Sequence, residues 1–452
     1  MKSYELKPTE ENIFKTFNDD MFDRNKEVFK FAEMLNSIEN NFSIAIDADW
    51  GSGKTFFVKQ TMMFLNAQNP NYTFSKSEYR KQIVDKWKLE KNKSDISFDS
   101  HVCVYYDAWE NDGDDDPMLS IVYSILNNTE AYFENTDDMK NILLVAANIL
   151  SFFTNRDYGK LITQKSDNLQ SIRENKKIET NINDFFNRLL EEKGNRLVIF
   201  IDELDRCKPS YAVKLLERIK HYFTNDRITF VFSVNTKELQ HTIRQFYGNN
   251  FDANRYLERF FDLRLSLPKV DMHKVFENLD MNDIDENNYT YDRMCLNVIN
   301  HYNFSIREAM KFIQWAETAA YKPSHFSDRY FPWSNENALK LCIIYILPIM
   351  IGLKIHNVDD YNGFIQGERS DILLEFGEYI DSIFYGDLYV GEERSSALQD
   401  KNNRAKLNKV YDAVFGAKNR GEGTVIGKLK FNSFIKTELE KIIGMLSNYA
   451  RY

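Results

Sequence analysis

The chain of 452 residues is long enough for roughly two or three domains, and its 43% hydrophobic and 28% charged content is ordinary for a folded protein. Its 58 basic and 68 acidic residues give a net charge of −10, which excludes a protein that coats nucleic acid by bulk positive charge. The four cysteines show neither metal-ligand nor disulfide-framework spacing, and the first twelve residues lack an apolar secretory leader, so we expect a cytoplasmic protein.

The predicted elements alternate between helices and short buried strands. Residues 12–40 have a helical apolar pattern, and residues 42–47 (FSIAID) form a strand that leads through a glycine turn into a helix from Thr55. The further predicted strands are 101–107, 196–202, 228–234 and 263–267. Because helices separate these strands, we expect βαβ units and an α/β fold with a doubly wound parallel sheet.

The pattern predicts two regions. We expect a core domain over residues 1–268, with inserted helical segments at about 68–100 and 127–193. The first insertion is polar and Lys-rich, which is typical of an exposed helical excursion. A helical C-terminal region is expected over residues 269–452, interrupted by a polar, glycine-containing stretch at 386–423.

Two apolar runs could be either membrane segments or buried helices. Residues 142–153 (ILLVAANILSFF) and 341–353 (LCIIYILPIMIGL) are each about a dozen residues long, whereas a spanning helix needs about 20. We therefore expect two buried helices and no membrane span, with membrane association of the run at 142–153 as the alternative.

One short segment carries a phosphate-binding pattern. Residues 48–55 (ADWGSGKT) match G-x-x-x-x-G-K-[ST] except that Ala48 replaces the first glycine. Loop N–H groups and the following helix N-terminus would bind phosphate oxygens. Lys54 is predicted to reach the β- and γ-phosphates and Thr55 to bind Mg²⁺. The predicted nucleotide-binding residues are Asp49, Trp50, Gly51, Ser52, Gly53, Lys54, Thr55 and Phe56.

An acid pair at the end of a later strand supplies the other half of this site. Asp202 is predicted to hold the Mg²⁺ shell with Thr55, and Glu203 to orient and deprotonate the attacking water. Asn235 follows the next strand, where it could hydrogen-bond the water or the γ-phosphate, or be an ordinary turn residue.

Arginines could stabilise charge on the transferring phosphoryl group. The candidates are Arg206, Arg255, Arg259 and Arg307, each of which could equally form a surface ion pair. The predicted catalytic set is Lys54, Glu203, Asn235, Arg206 and Arg259.

Several segments together resemble the KAP family of P-loop NTPases. They are DWGSGKT (49–55), YYDAWEND (105–112), FIDELDRCKP (200–209), YLER (256–259), SIR (305–307) and FDR (22–24). The resemblance spans roughly residues 20–320. Glu203 stands where the family often has Asp, and Arg259 where it often has Lys.

This resemblance implies the additional-strand class of P-loop ATPases, with a catalytic glutamate and a helical C-terminal region. Many family members carry two transmembrane helices between the two motifs. Here that region holds only the run at 142–153 and a charged stretch, so the chain resembles a soluble branch. Family members are mostly implicated in phage exclusion and antiviral defence in bacteria, or in membrane-associated signalling in animals.

Three functional hypotheses remain open at this point. The first is Mg²⁺-dependent hydrolysis of ATP, with GTP not excluded, in a homo-oligomer whose neighbouring subunit supplies an arginine; an effector protein is a candidate partner. The second is a nucleotide-gated scaffold with incidental turnover. The third is a nucleic-acid-processing ATPase, for which the basic segment 76–93 is the candidate surface, although it could equally be a solvated helix face.

Overall fold

The computed structural model describes residues 6–91, 96–129, 180, 182–191, 193–278, 289–320, 337–379, 388, 401–416 and 423–449. The chain divides into two compact units, Lys7–Val270 and Asp271–Tyr452 together with Met1–Leu6. The apolar run at 142–153, most of the predicted insertion at 127–193 and most of the polar stretch at 386–423 lie outside the described residues.

The unit Lys7–Val270 contains one parallel sheet and helices on both of its faces. Its elements are α1 (Glu10–Asn18), α2 (Asn25–Asn36), β1 (Phe42–Asp47), α3 (Lys54–Gln68), α4 (Glu78–Lys91), β2 (His101–Asp107), α5 (Pro117–Thr129), β3 (Arg196–Asp202), α6 (Pro209–Tyr222), β4 (Ile228–Val234), α7 (Thr236–Tyr247), α8 (Ala253–Leu257) and β5 (Leu263–Ser266). A helical segment at 182–191 and a 3₁₀ turn at Leu204–Arg206 complete it.

The predicted strands are confirmed, except that β5 ends one residue earlier than expected, at Ser266. All pairings are parallel, and the strand order across the sheet is β2-β3-β4-β1-β5. The register pairs Asp47 with Val234, and Asp202 with both Ser233 and Asp107. The carboxyl ends of four strands therefore meet at one edge of the sheet, which is where ligands bind in open α/β sheets.

The two central strands are buried along their whole length because helices cover both faces. Each residue of β3 and β4 is buried, as expected for interior strands of a parallel sheet. On one face, side chains such as Val198 and Val231 pack with α1 to α4 around Phe64. On the other face, Ile199 and Phe230 pack with α5, α6 and α7. Alternation along the strands thus supplies two hydrophobic cores.

The N-terminal helix predicted at 12–40 is two helices. The break lies between α1 and α2, where Asp20 (φ 47°) and Asp23 (φ 50°) adopt left-handed backbone conformations. The Asp20 Oδ1 accepts from the backbone N–H groups of Arg24 and Asn25, each at 3.1 Å. Because Asp tolerates this conformation better than most residues, the break needs neither glycine nor proline, and it places Arg24 in the interior of the unit.

The polar segment at 68–100 contains the expected helix, α4, but the expectation of an exposed excursion is wrong for one side of it. Tyr79, Ile83 and Trp87 are buried. The Trp87 ring lies 5.9 Å from Phe64 and 5.4 Å from Phe98, measured between centroids. Most of the remaining positions carry charged or polar side chains, so α4 is amphipathic and belongs to the core of the unit.

The unit that contains Asp271–Tyr452 is mainly helical. Its elements are α9 (Met272–Asn278), α10 (Tyr289–His301), α11 (Ile306–Ala320), α12 (Asn337–Leu341), a π-helical turn (Cys342–Ile346), α13 (Leu347–His356), α14 (Val358–Gln366), α15 (Ser370–Glu375), a 3₁₀ turn (Gly377–Tyr379), α16 (Lys401–Phe415), β6 (Thr424–Ile426), β7 (Leu429–Phe431) and α17 (Ser433–Tyr449). The antiparallel pair β6–β7 was not predicted. Its three-residue strands are too short to show a period, and Gly427 (φ 60°) lies in the turn between them.

The apolar run at 341–353 lies within a longer helical segment than expected. Ala338–His356 spans 19 residues with a mean hydropathy of 2.1, so by length and composition it could cross a membrane. However, 83% of it is buried within the protein, and a buried core helix has the same properties. The predicted burial is confirmed, and the segment is weak support for a membrane span.

Candidate functional site

The loop between β1 and α3 has the backbone that its glycines predict. Gly51 (φ 77°) and Gly53 (φ 86°) are both left-handed, a conformation that favours glycine, and Gly53 is the N-cap of α3. Ala48 has no positive φ, and its N–H donates to the carbonyl of Val234 at 3.2 Å. Alanine therefore fits at the position where the motif usually has glycine, and this departure introduces no backbone strain.

Lys54 folds back over its own loop. Its Nζ donates to the carbonyl oxygens of Ala48 at 2.7 Å and Asp49 at 3.1 Å, and the residue is buried. Burial lowers the pKa of Lys54, while the nearby carboxylates of Asp205 and Asp202 act in the opposite direction. The ammonium thus lies within the loop. An anion bound there would interact with the positive charge of Lys54 and with the N-terminus of α3.

The carboxylate of Asp202 connects this loop to the end of β3. Its Oδ2 accepts from Thr55 Oγ1 at 2.7 Å and from the Tyr105 hydroxyl at 3.0 Å, and its Oδ1 accepts from the Glu203 N–H at 3.0 Å. Burial, followed by the charge of Asp202, raises the pKa of Tyr105, so this hydroxyl stays protonated and donates. Three donors therefore fix the orientation of one buried carboxylate.

The pair Thr55 and Asp202 fits a magnesium ion. Hydroxyl and carboxylate oxygens are the hard ligands that Mg²⁺ prefers, and Mg²⁺ is usually held by one or two protein groups together with waters and substrate phosphates. Across the described ranges, no group of three or more His, Cys, Asp or Glu side chains could hold a metal by itself. A donor pair of this kind suits an ion that is also held by a phosphate ligand.

Glu203 adopts a strained backbone beside this carboxylate. Its φ of 59° and ψ of 23° lie in the left-handed region, which is unusual for a residue with a side chain and common at functional sites. Burial raises the pKa of Glu203 to about 7; the neighbouring Asp202 adds to the effect and Arg206 opposes it. A carboxylate with a pKa near neutrality can accept a proton at physiological pH.

Arg206 lies between two exposed tryptophans and binds Glu203. Its Nε is 2.6 Å from Glu203 Oε2, and its guanidinium carbon lies 5.5 Å from the ring centroids of both Trp50 and Trp109. Those rings are 45% and 54% exposed. Trp50 Nε1 also donates to Asp205 Oδ2 at 2.6 Å. The loop before α3 and the turn after β3 are thereby joined through side chains at the mouth of the site.

The remaining predicted binding residues also lie around the loop. Asp49 is exposed, and its carbonyl accepts from the Ser52 N–H at 3.3 Å. Phe56 is half-buried, with its ring centroid 5.6 Å from that of Phe22.

Asn235 and Arg259 differ in their placement. Asn235 Oδ1 caps α7 by accepting from the N–H groups of Lys237 at 3.1 Å and Glu238 at 3.4 Å. Its backbone N–H opposes the rise that burial causes in the pKa of Asp205, so Asn235 lies beside that carboxylate and borders the site. Arg259 is exposed, and within the described part of the chain none of its contacts reaches the loop. The structure therefore brings Asn235 to the site and leaves Arg259 outside it.

Sequence reasoning missed three contributors to the site. Arg24 is buried; it donates to the Ser52 carbonyl at 2.8 Å and also to the Pro268 carbonyl, so it ties the loop to the segment after β5. Tyr105 binds Asp202, and Lys59 Nζ lies 4.0 Å from the Tyr105 ring centroid. The FDR segment gave a weak signal for Arg24. The alternation of β2 places Tyr105 on the same face as Asp107, which could have indicated its direction.

A parallel sheet whose first strand enters a glycine loop and a helix, with an acid pair ending another strand beside it, defines a P-loop NTPase, a class of nucleotide-binding proteins. A model of the KAP family P-loop domain matches residues 24–315, which is more than half of the chain. The chain therefore belongs to the KAP family of P-loop NTPases, and the resemblance drawn from the sequence motifs is confirmed.

Two further similarities were found. A protein of Methanocaldococcus jannaschii, described as uncharacterized, is 25% identical over 178 residues, which cover 30% of this chain and 88% of that protein. A solved structure of the Aeropyrum pernix ORC2 protein, in ADPNP–ADP complexes, aligns with 94% of this chain and 95% of that chain at 12% identity, with a TM-score of 0.33. This score is too low for the likeness to support an argument.

Proposed function

We propose that this protein binds ATP together with Mg²⁺ and hydrolyses it to ADP and phosphate. The observation that carries the proposal is the 2.7 Å hydrogen bond from Thr55 Oγ1 to Asp202 Oδ2. It joins the phosphate-binding loop to the acidic end of β3, so the two halves of a P-loop active site are within contact of each other. GTP is the alternative nucleotide.

The strand order supports assignment to the additional-strand class with a catalytic glutamate. β4 lies between β1, which leads into the loop, and β3, which ends in the acid pair. Glu203 directly follows Asp202 and has the raised pKa of about 7 that suits a general base.

The proposed reaction follows from the placement of the side chains. Loop N–H groups and Lys54 bind the phosphates; Lys54 Nζ now contacts only two neutral carbonyls, and a phosphate oxygen would offer it a stronger, charged acceptor. Glu203 orients a water and takes its proton as the water oxygen bonds to the γ-phosphorus and the bond to ADP breaks. Thr55 and Asp202 would hold Mg²⁺, which neutralises phosphate charge when bound.

A second copy of the chain would complete the site. Arg259 is exposed, and within the described part of the chain it has no contact with its own loop, so it suits a contact made across subunits better than one made within a subunit. We therefore propose a homo-oligomer in which Arg259 of one copy faces the nucleotide of another. Arg206 stays the candidate within the same chain.

The biological role that we propose is bacterial antiviral defence in the cytoplasm, with an effector protein as a candidate partner. Its support is the family membership of residues 24–315 together with the family roles described above. The test is phage plating on cells that express the wild type or Lys54→Ala. Equal plating on both strains would remove defence as the role of nucleotide binding.

A nucleotide-gated scaffold is the second candidate, and one contact favours it. In the structure Glu203 is bound by Arg206 at 2.6 Å, so the proposed base is engaged by a cation. A site held in this state would bind nucleotide with little turnover. Tight nucleotide binding without phosphate release, together with a nucleotide-dependent change in mass, would favour the scaffold.

The deciding experiment measures phosphate release from ATP and from GTP by the wild type, Lys54→Ala and the exposed control Lys30→Ala. We expect release by the wild type and the control, and loss of both binding and release in Lys54→Ala. Mass photometry with a non-hydrolysable analogue tests the oligomer in parallel. Adding DNA or RNA at several salt concentrations tests the basic segment 76–93, since phosphate contacts weaken with salt.

A further inference from the structure

The hydroxyl of Tyr105 shares one carboxylate oxygen with Thr55. Asp202 Oδ2 accepts from Tyr105 at 3.0 Å and from Thr55 at 2.7 Å. Tyr105 reaches Asp202 from the neighbouring strand β2, whereas Thr55 belongs to α3. The carboxylate is therefore held from two sides, by one residue that directly follows the phosphate-binding loop and by one that belongs neither to that loop nor to the acid pair.

The tyrosine itself is fixed. Its backbone N–H donates to Asn128 Oδ1 at 3.2 Å, which ties β2 to α5 at this point. The Lys59 ammonium lies over its ring, 4.0 Å from the ring centroid. Because Lys59 follows Thr55 by four residues in α3, the side chains of Lys59 and Thr55 project from the same side of this helix. With the backbone held by Asn128 and the ring by Lys59, the Tyr105 hydroxyl lies within hydrogen-bond distance of Asp202.

We propose that Tyr105 is a positioning residue that orients the Asp202 carboxylate for the divalent cation, an inference that rests on the proposed function. Tyr105 would not itself contact the ion. It acts through Asp202, in the way that outer hydrogen-bond partners orient the ligands of metal sites. Without its hydroxyl, Asp202 Oδ2 keeps only Thr55 as a side-chain partner, and the carboxylate can rotate.

The adjacent tyrosine provides a matched control. Tyr106 also has a buried hydroxyl, but it points to the opposite face of β2 and hydrogen-bonds Tyr211. Tyr105→Phe and Tyr106→Phe each remove one oxygen from the same strand, and each retains its ring. Only Tyr105→Phe removes a bond to Asp202, and the contact with Lys59 is kept.

The experiment measures cation binding directly. Mn²⁺ is titrated into the full-length protein with saturating ADP, and bound ion is followed by electron paramagnetic resonance. The affinity for a fluorescent ADP analogue is measured separately in EDTA. We expect Tyr105→Phe to weaken Mn²⁺ binding by about 10-fold or more, with wild-type ADP affinity in EDTA, and Tyr106→Phe to match the wild type in both.

The possible outcomes distinguish failure of the positioning role of Tyr105 from failure of the proposed nucleotide-binding function. Wild-type Mn²⁺ affinity in Tyr105→Phe would overturn the positioning role. Equal weakening in Tyr105→Phe and Tyr106→Phe would also overturn it, because the effect would then come from general loss of packing in β2. If the wild-type protein binds no nucleotide in any condition, the proposed function fails first, and that result is visible before either variant is tested.

Discussion

Arg206 Nε lies 2.6 Å from Glu203 Oε2, which makes an ion pair between the residue proposed as general base and a residue three positions later in the chain. Both side chains lie on the turn that follows β3. The arginine is itself held between two tryptophan rings. The ionised form of the base is therefore favoured by a cation that contacts the phosphate-binding loop through Trp50.

Replacing the base should separate binding from turnover. In Glu203→Gln the side chain keeps its size but cannot accept a proton, and general bases typically contribute about 100-fold or more to rate. We expect phosphate release to fall by at least that factor with nucleotide affinity unchanged. The control is Glu39→Gln, an exposed acid before the start of β1. Normal turnover in Glu203→Gln would remove Glu203 from the role of base.

Removing the arginine tests what the ion pair does. In Arg206→Ala, Glu203 loses the cation that favours its ionised, proton-accepting form. A hydrogen bond to a charged group is worth about 1.5–3 kcal/mol, so we expect turnover to fall about tenfold or more. The double variant with Glu203→Gln should be no slower than Glu203→Gln alone, since both act on one step. Faster turnover in Arg206→Ala would instead show that the arginine restrains the base.

The tryptophans should report nucleotide binding. Trp50 and Trp109 are exposed and flank Arg206, so nucleotide binding at the loop should change their fluorescence. Trp87 is buried in the core beside Phe64. We expect Trp50→Phe and Trp109→Phe each to reduce the emission change on adding Mg²⁺ and ADP, and Trp87→Phe to retain it. If the emission change were instead lost in Trp87→Phe, nucleotide binding would alter the environment of the core and not that of the two exposed tryptophans.

Arg24 should stabilise both the unit and the loop. It is buried and donates to the carbonyls of Ser52 and Pro268. Arg24→Met leaves both carbonyls without this donor, and we expect the free energy of unfolding in urea to fall by about 1.5–3 kcal/mol. Nucleotide affinity should fall as well, because Ser52 lies in the loop. Arg188→Met, at an exposed position of the helical segment 182–191, is the control and should change neither quantity.

The stability of the protein should depend on pH through His101. Burial lowers the pKa of His101 to about 4, from 6.5 in the unfolded chain. Between those pH values the unfolded state binds a proton that the folded state does not, so the free energy of unfolding falls as pH decreases through this window. The full effect is about 3 kcal/mol and is present as stability above pH 6.5.

The measurement compares urea unfolding at pH 7 and pH 5 for the wild type, His101→Gln and the exposed control His221→Gln. Glutamine can replace the hydrogen bond between His101 Nδ1 and the Asp99 carbonyl, which is 2.8 Å long, without titrating in this range. We expect His101→Gln to lose part of the pH dependence and His221→Gln to keep all of it. The same slope in all three proteins would assign the effect to other groups.

The sheet and the two halves of the site could be predicted because each is encoded by a short, continuous stretch of sequence. Strands β1 to β4 are short apolar runs bounded by polar residues, and their predicted bounds match the structure. The phosphate-binding loop and the acid pair each follow a strand directly. Since parallel strands end at one edge, their proximity follows from the topology, and the contact of Thr55 with Asp202 agrees with it.

The parts that were missed depend on contacts between distant segments. Arg24 and Pro268 are 244 positions apart, and no local pattern links them. The Tyr105 hydroxyl gains its role only from the neighbouring strand. The break between α1 and α2 was missed because an aspartate, Asp20, supplies a backbone conformation that is usually assigned to glycine.

The backbone at Ala48 bears on how related chains are recognised. Because Ala48 does not have a positive φ, a methyl group is tolerated there, whereas Gly51 and Gly53 have the positive φ that favours glycine. A sequence pattern that requires glycine at this position would therefore miss a chain with alanine there, even though alanine fits the backbone of this loop. Diversity at that position among distant homologues is therefore compatible with intact phosphate recognition.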